Sequence, residues 1–61
     1  MRIKEMREKA AITQKQLADR MGVAQPVVCK WESNIISPTA AKIPALAKAL
    51  GCSIEDLFEK A

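Results

Sequence analysis

Histidine and tyrosine are absent from this chain, and its two cysteines, Cys29 and Cys52, share no CxxC spacing. Neither a zinc site nor a nucleophile with a histidine base can be assembled from such a set. Catalysis is therefore not expected, nor is a cofactor or a metal. Aromatic residues are confined to Trp31 and Phe58, and only two glycines and three prolines interrupt the 61 residues. With so few aromatics and an abundance of Leu, Ile, Ala, Lys and Glu, the composition favours helix over sheet. No apolar run approaches the roughly 20 residues of a membrane span, and nothing resembles a secretory leader. The expected setting is the reducing cytoplasm, with no membrane partner and with both thiols free.

What is present is short and basic. A chain of 61 residues makes a single domain, taken here as residues 1–61. A domain of that size buries only about 60% of the surface its unfolded chain exposes, so each apolar helix face is needed for folding. Charge is unevenly spread. Residues 1–50 hold nine Lys and Arg against four Asp and Glu, net +5, whereas residues 51–61 hold one Lys against three acids, net −2. A basic body with an acidic end suits a polyanionic partner met by one face.

The punctuation divides the chain into five short helices. Ile3, Met6 and Ala10 repeat at helical spacing, so the first helix is expected over 2–9. Thr13 opens a second, with Gln16 completing a capping box; Leu17, Ala18 and Met21 form its apolar stripe, and Gly22 ends it. A third is expected over 25–33, Pro26 being tolerated in a first turn that has no intrahelical N–H partners. Asn34, Ser37 and Pro38 then mark a longer connection with room for one helical turn. Pro44, placed at the first helical position, leads a fourth helix with Ile43, Leu46, Ala47 and Leu50 on one face and Gly51 at its end. Ser53, with Asp56 three residues on, caps a fifth whose Ile54, Leu57 and Phe58 are expected to return to the core.

Two helices of about two turns joined by three residues make a helix-turn-helix. Ala18 is small where the second element must come close, Gly22 supplies a positive φ, Val23 plugs the turn, and Val28 and Trp31 give the second element its buried stripe. At about 100° per residue, Gln25, Cys29, Ser33, Pro26 and Lys30 span an arc of roughly 140°, with Val27, Trp31 and Val28 opposite. One face of this helix is built for burial. The other carries polar groups that can reach base edges.

The segments ITQKQLADRMGV, QPVVCKWES, SP and IPALAKALGCSIEDLF resemble the Cro and C1 repressor type of helix-turn-helix protein, also called the XRE family, over residues 2–58. The resemblance implies an all-α, compact five-helix, lambda-repressor-like domain whose third helix enters the DNA major groove. It also implies double-stranded DNA as partner and a homodimer on a palindromic operator. Gln25, Pro26, Val27 and Lys30 become the groove-facing set, and Gln14 a phosphate and positioning contact. Glutamine can pair bidentately with adenine, lysine can donate to guanine, and valine can touch a thymine methyl. Lys15, Asn34 and Thr39 are expected to contact the backbone, which fixes register without reading sequence. The resemblance further pairs Arg7 with Glu32 as a salt bridge fastening the third helix.

Departures from the family pattern carry consequences. Ala11 stands where a glycine is usual, so that connection is expected to be strained or differently shaped. Ala24 replaces the usual Ser or Thr cap of the third helix, a loss of about 0.5–2 kcal/mol. Pro26 brings no side-chain donor, and Asn34, Ile35 and Ile36 lack the glycine and basic residues common after the third helix. A single copy is expected to bind weakly and with little discrimination, with symmetry or extra domains making up the difference. Elsewhere the expectation is plain structure: Trp31, Met6 and Met21 in the core, Cys52 packed, and Lys4, Lys9, Lys42, Lys48 and Lys60 solvated. One of Ile35 and Ile36 is expected to tuck inward, unless the pair forms a subunit contact. A second functional class on the same fold is an antitoxin-type or adaptor module that binds a protein through Ile35, Ile36 or the fifth helix.

Overall fold

The computed structural model describes residues 1–58 of the chain, and Lys60, expected on the surface, lies outside them. The described elements are all helical: α1 (Ile3–Lys9), α2 (Gln14–Met21), α3 (Gln25–Glu32), a 3-10 turn (Ala40–Lys42), α4 (Ile43–Leu50) and α5 (Ile54–Leu57). None of these helices is long and apolar enough to cross a membrane.

Helices α1 to α4 stop by one device. In each, the backbone passes through a left-handed residue: Ala11 (φ 58°), Gly22 (φ 68°), Asn34 (φ 60°) and Gly51 (φ 69°). The N–H of that residue returns to the carbonyl three positions back, and the next N–H returns five positions back, as in Val23 to Ala18 and Cys52 to Ala47, both at 3.0 Å. This double bond pattern is the Schellman motif, which satisfies the last carbonyls of a helix and turns the chain sharply. Glycine has no Cβ to clash in that conformation, and asparagine tolerates it, but alanine does not. Ala11 therefore carries the strain expected of it. Its N–H still reaches Glu8 O at 3.0 Å, and Ile12 N reaches Arg7 O at 3.3 Å.

The starts of α2 and α5 are set by side chains. Thr13 Oγ1 accepts from Gln16 N at 3.1 Å while Gln16 Oε1 accepts from Thr13 N at 2.8 Å. Ser53 and Asp56 repeat the exchange at 3.2 Å in both directions. Ala24 precedes α3 with no side-chain cap. The start of α1 falls at Ile3 rather than Arg2, whose backbone N–H instead donates to Leu57 O at 2.7 Å and joins the first helix to the last. Pro44 occupies the second helical position, not the first. The 3-10 turn runs directly into α4, so the helix begins one residue earlier, still within the turn where a missing N–H costs nothing.

The core takes Ile3 and Met6 from α1, Leu17 and Ala18 from α2, Val28 and Trp31 from α3, Leu46, Ala47 and Leu50 from α4, and Leu57 from α5. Met21, Val23 and Cys52 are half-buried against it. Arg20 Nη1 donates to Ala49 O at 2.9 Å and ties α2 to α4.

Three expectations for the core fail. Ile54 and Phe58 are 43% and 46% exposed, because α5 is a single turn that can direct only Leu57 inward, and Phe58 leaves helical conformation at ψ 142°. Neither Ile35 (69% exposed) nor Ile36 (43%) tucks in. Their N–H groups both bond Lys30 O, which holds them on the outside of the left-handed Asn34, and the buried position in this connection goes to Pro38.

The strain at Ala11 is measurable. Ala11→Gly is expected to raise unfolding free energy by about 1 kcal/mol, the relief of the left-handed penalty less the added freedom of the unfolded chain. Gly22→Ala should do the reverse, since a Cβ there meets nothing within 4 Å and the cost is conformational alone. Urea melts of both variants check the pair, and an Ala11→Gly that loses stability refutes the strain.

Candidate nucleic-acid interface

Helix α3 is divided as its wheel requires. Val28 and Trp31 are buried, at 0% and 3% exposure, and this apolar pair holds the helix against α2 and α1. Gln25, Pro26, Cys29, Lys30 and Ser33 are all exposed. The side chains of Gln25 and Lys30 make no hydrogen bond or ion pair among the described residues. Val27 lies at the border, half-buried and packed on the core, so it presents only part of its side chain outward. Cys29 and Ser33 share the exposed face although the set carried over from the family leaves them out. The helical wheel alone contained that signal.

Glu32 ends α3 on the inner side and gathers three elements. Its carboxylate accepts from Arg7 Nε at 2.6 Å, from Arg7 Nη2 at 3.3 Å and from Gln14 Nε2 at 2.9 Å. Arg7 Nη1 in turn donates to Ile12 O at 2.9 Å, at the connection between α1 and α2. The side chains of Arg7 and Glu32 are only 13% and 5% exposed. Two charges so far out of water are tolerable only when paired and hydrogen-bonded, and here the carboxylate oxygens and guanidinium donors serve one another. The hydrogen bond to Glu32 raises the Arg7 pKa further above its ordinary value, so the guanidinium holds its charge.

The remaining expected contacts fall at the ends of elements. Lys15 is exposed in the first turn of α2, next to the half-buried Gln14. Asn34 is exposed at the left-handed end of α3, and Thr39 is exposed just before the 3-10 turn, where its carbonyl accepts from Lys42 N at 2.9 Å. Of the two free thiols Cys29 is exposed and Cys52 half-buried. Burial, and then the nearby Asp56 carboxylate, push the Cys52 pKa up, which keeps that thiol protonated and unreactive near neutral pH.

Comparison with known proteins places this geometry among relatives. The family model described as Helix-turn-helix matches residues 3–57. An uncharacterized HTH-type transcriptional regulator of Mycobacterium tuberculosis strain H37Rv is 37% identical over 59 residues, covering 97% of this chain and 42% of that protein. One from Methanothermobacter thermautotrophicus is 37% identical over 57 residues, covering 92% of this chain and 83% of its own length. The chain thus spans less than half the length of the mycobacterial relative. Among solved structures, the P22 c2 repressor in complex with a synthetic operator superimposes with a TM-score of 0.84 at 34% identity, over 95% of this chain and 88% of that one.

The buried pair predicts unequal costs for two acidic residues. Glu32→Ala should lower stability by about 3 kcal/mol, because it leaves the Arg7 charge without its partner in a mostly dry site, whereas Glu8→Ala on the exposed face of α1 should stay within about 0.5 kcal/mol. Thermal melts of the two variants decide, and equal melting temperatures would remove the pair from the account of stability.

Proposed function

The chain belongs to the helix-turn-helix family, of the Cro and C1 type, and on that footing we propose that it is a sequence-specific double-stranded DNA-binding regulator of transcription, acting as a repressor. The observation that carries the reading is the two-sided α3. Its Trp31 and Val28 are committed to the core, while Gln25 and Lys30 extend into solvent without a partner among the described residues. The P22 c2 repressor, solved in complex with a synthetic operator, supports DNA as the partner through its similarity to this fold.

In this reading α3 enters the major groove. Gln25 pairs with an adenine edge, Lys30 donates to a guanine, Pro26 limits how closely the first turn approaches, and the exposed part of Val27 meets a thymine methyl. Gln14, Lys15, Asn34 and Thr39 hold the phosphate backbone and set register. With Ala24 giving no cap and Pro26 no donor, one copy makes few contacts. Two copies on a palindrome, with half-sites about 34–36 Å apart, add their contacts and supply the missing affinity. Blocking a promoter in the cytoplasm follows from occupancy alone.

Selection of bound duplexes from a random pool tests this directly, and a two-fold symmetric motif is the expected product. Gln25→Ala should relax preference at one base pair by about 1–3 kcal/mol, whereas Lys15→Ala should weaken every duplex alike and reduce the salt slope by about 1. Unchanged preference in Gln25→Ala would defeat the groove assignment. A bulky maleimide should label exposed Cys29 before Cys52 and abolish binding, and Cys29→Ser should be resistant; a labelled protein that binds normally would place α3 elsewhere.

A further inference from the structure

We propose that Glu32 is a positioning residue for DNA contact, acting through Gln14: its carboxylate holds the Gln14 amide so that one N–H remains directed outward for a backbone phosphate. This rests on the reading above that the start of α2 meets the phosphate backbone. Glu32 cannot touch DNA itself, since its side chain is 5% exposed and a carboxylate facing a polyanion is repelled. Its influence must pass through a neighbour.

The neighbour is identified by geometry. Gln14 is the first residue of α2, half-buried, and its Nε2 donates to Glu32 Oε1 at 2.9 Å. A primary amide has two N–H donors and a carbonyl acceptor. With one donor given to Glu32, the other is left for an external acceptor, and the amide cannot flip without setting its carbonyl against the carboxylate. A glutamine free in solvent loses rotamer freedom when it grips a phosphate, whereas one already held has lost it on folding, and such preorganisation favours binding. Arg7 completes the arrangement from the other side. Its Nε bond to Glu32 Oε2 at 2.6 Å fixes the carboxylate, and its Nη1 bond to Ile12 O fixes the approach to α2. The end of the groove helix and the start of the phosphate-contacting helix are thereby set as one unit.

A double-mutant cycle with the selected duplex as probe separates positioning from mere stability. Gln14→Ala should weaken binding roughly five-fold on all sequences, the worth of one hydrogen bond. Glu32→Gln should weaken it by a similar factor, yet have no further effect on Kd in the Gln14→Ala background while still lowering Tm there. Multiplying fold-changes would overturn the positioning role and leave the α2 contact standing. No effect of Gln14→Ala would overturn that contact and this inference together, while readout by Gln25 is judged separately. The unmutated protein offers a second measurement that needs no stable variant. In its NMR spectrum one Gln14 side-chain amide proton should exchange slowly before DNA is added, and the other should shift on titration with the duplex; fast exchange of both would overturn the proposal.

Discussion

The Arg7–Glu32 pair is the interaction on which the rest of the arrangement depends. A domain of 61 residues has a thin core, and one buried ion pair that reaches α1, the α1–α2 connection, α2 and α3 does what a larger protein does with more apolar contacts. Its worth is not Coulombic attraction alone, since desolvating two charges costs about as much as their attraction returns. Its effect is directional. Hydrophobic packing of Val28 and Trp31 would allow α3 to slide or roll by small amounts, whereas a carboxylate with three donors at hydrogen-bond distance tolerates little displacement.

That direction matters for the role proposed for the outer face of α3, which would work by geometry. Bidentate hydrogen bonds to base edges are lost with displacements of about an ångström, so a helix that reads DNA must be held by something stiffer than a greasy stripe. Trp31 decides which side is inward and Glu32 limits rotation about the helix axis. Gln25 and Lys30 then project outward with nothing in the described protein to satisfy them. Polar groups left to solvent on a face so closely positioned are consistent with a partner that supplies the missing acceptors and donors.

Stability and architecture are in tension at two alanines. Ala11 takes a left-handed conformation that glycine fills at the corresponding ends of α2 and α4, and Ala24 begins α3 without a capping oxygen. Both lie on connections of the unit that carries the proposed interface. The fold persists because the Schellman bonds at Ala11 and the Arg7 clamp on Ile12 O over-determine that turn, and because α3 is anchored at its other end by Glu32.

Most of the helical plan was legible in the residues themselves. Capping boxes and helix-ending glycines are local chemistry, satisfied within four or five residues, so Thr13, Gly22, Gly51 and Ser53 marked their elements without knowledge of the rest. The wheel of α3 likewise separated its two faces, and the family pattern brought Arg7 and Glu32 together. Other features depended on distant partners. Nothing local foretold that Gln14 would turn its amide to a residue 18 positions later or that the Arg2 N–H would find Leu57 O. Ile35, Ile36, Ile54 and Phe58 show the same limit from the apolar side. Hydrophobicity makes burial favourable wherever space exists, but whether space exists is set by the packing of all five helices, and here Pro38 and Leu57 had already taken it. The sequence by itself thus determined where helices begin, end and divide into faces, because those are short-range balances of hydrogen bonding and sterics. Only the tertiary structure decided which apolar residues found a place inside and that Gln14 would join the Arg7–Glu32 pair, because volume and long-range hydrogen bonds belong to the assembled whole.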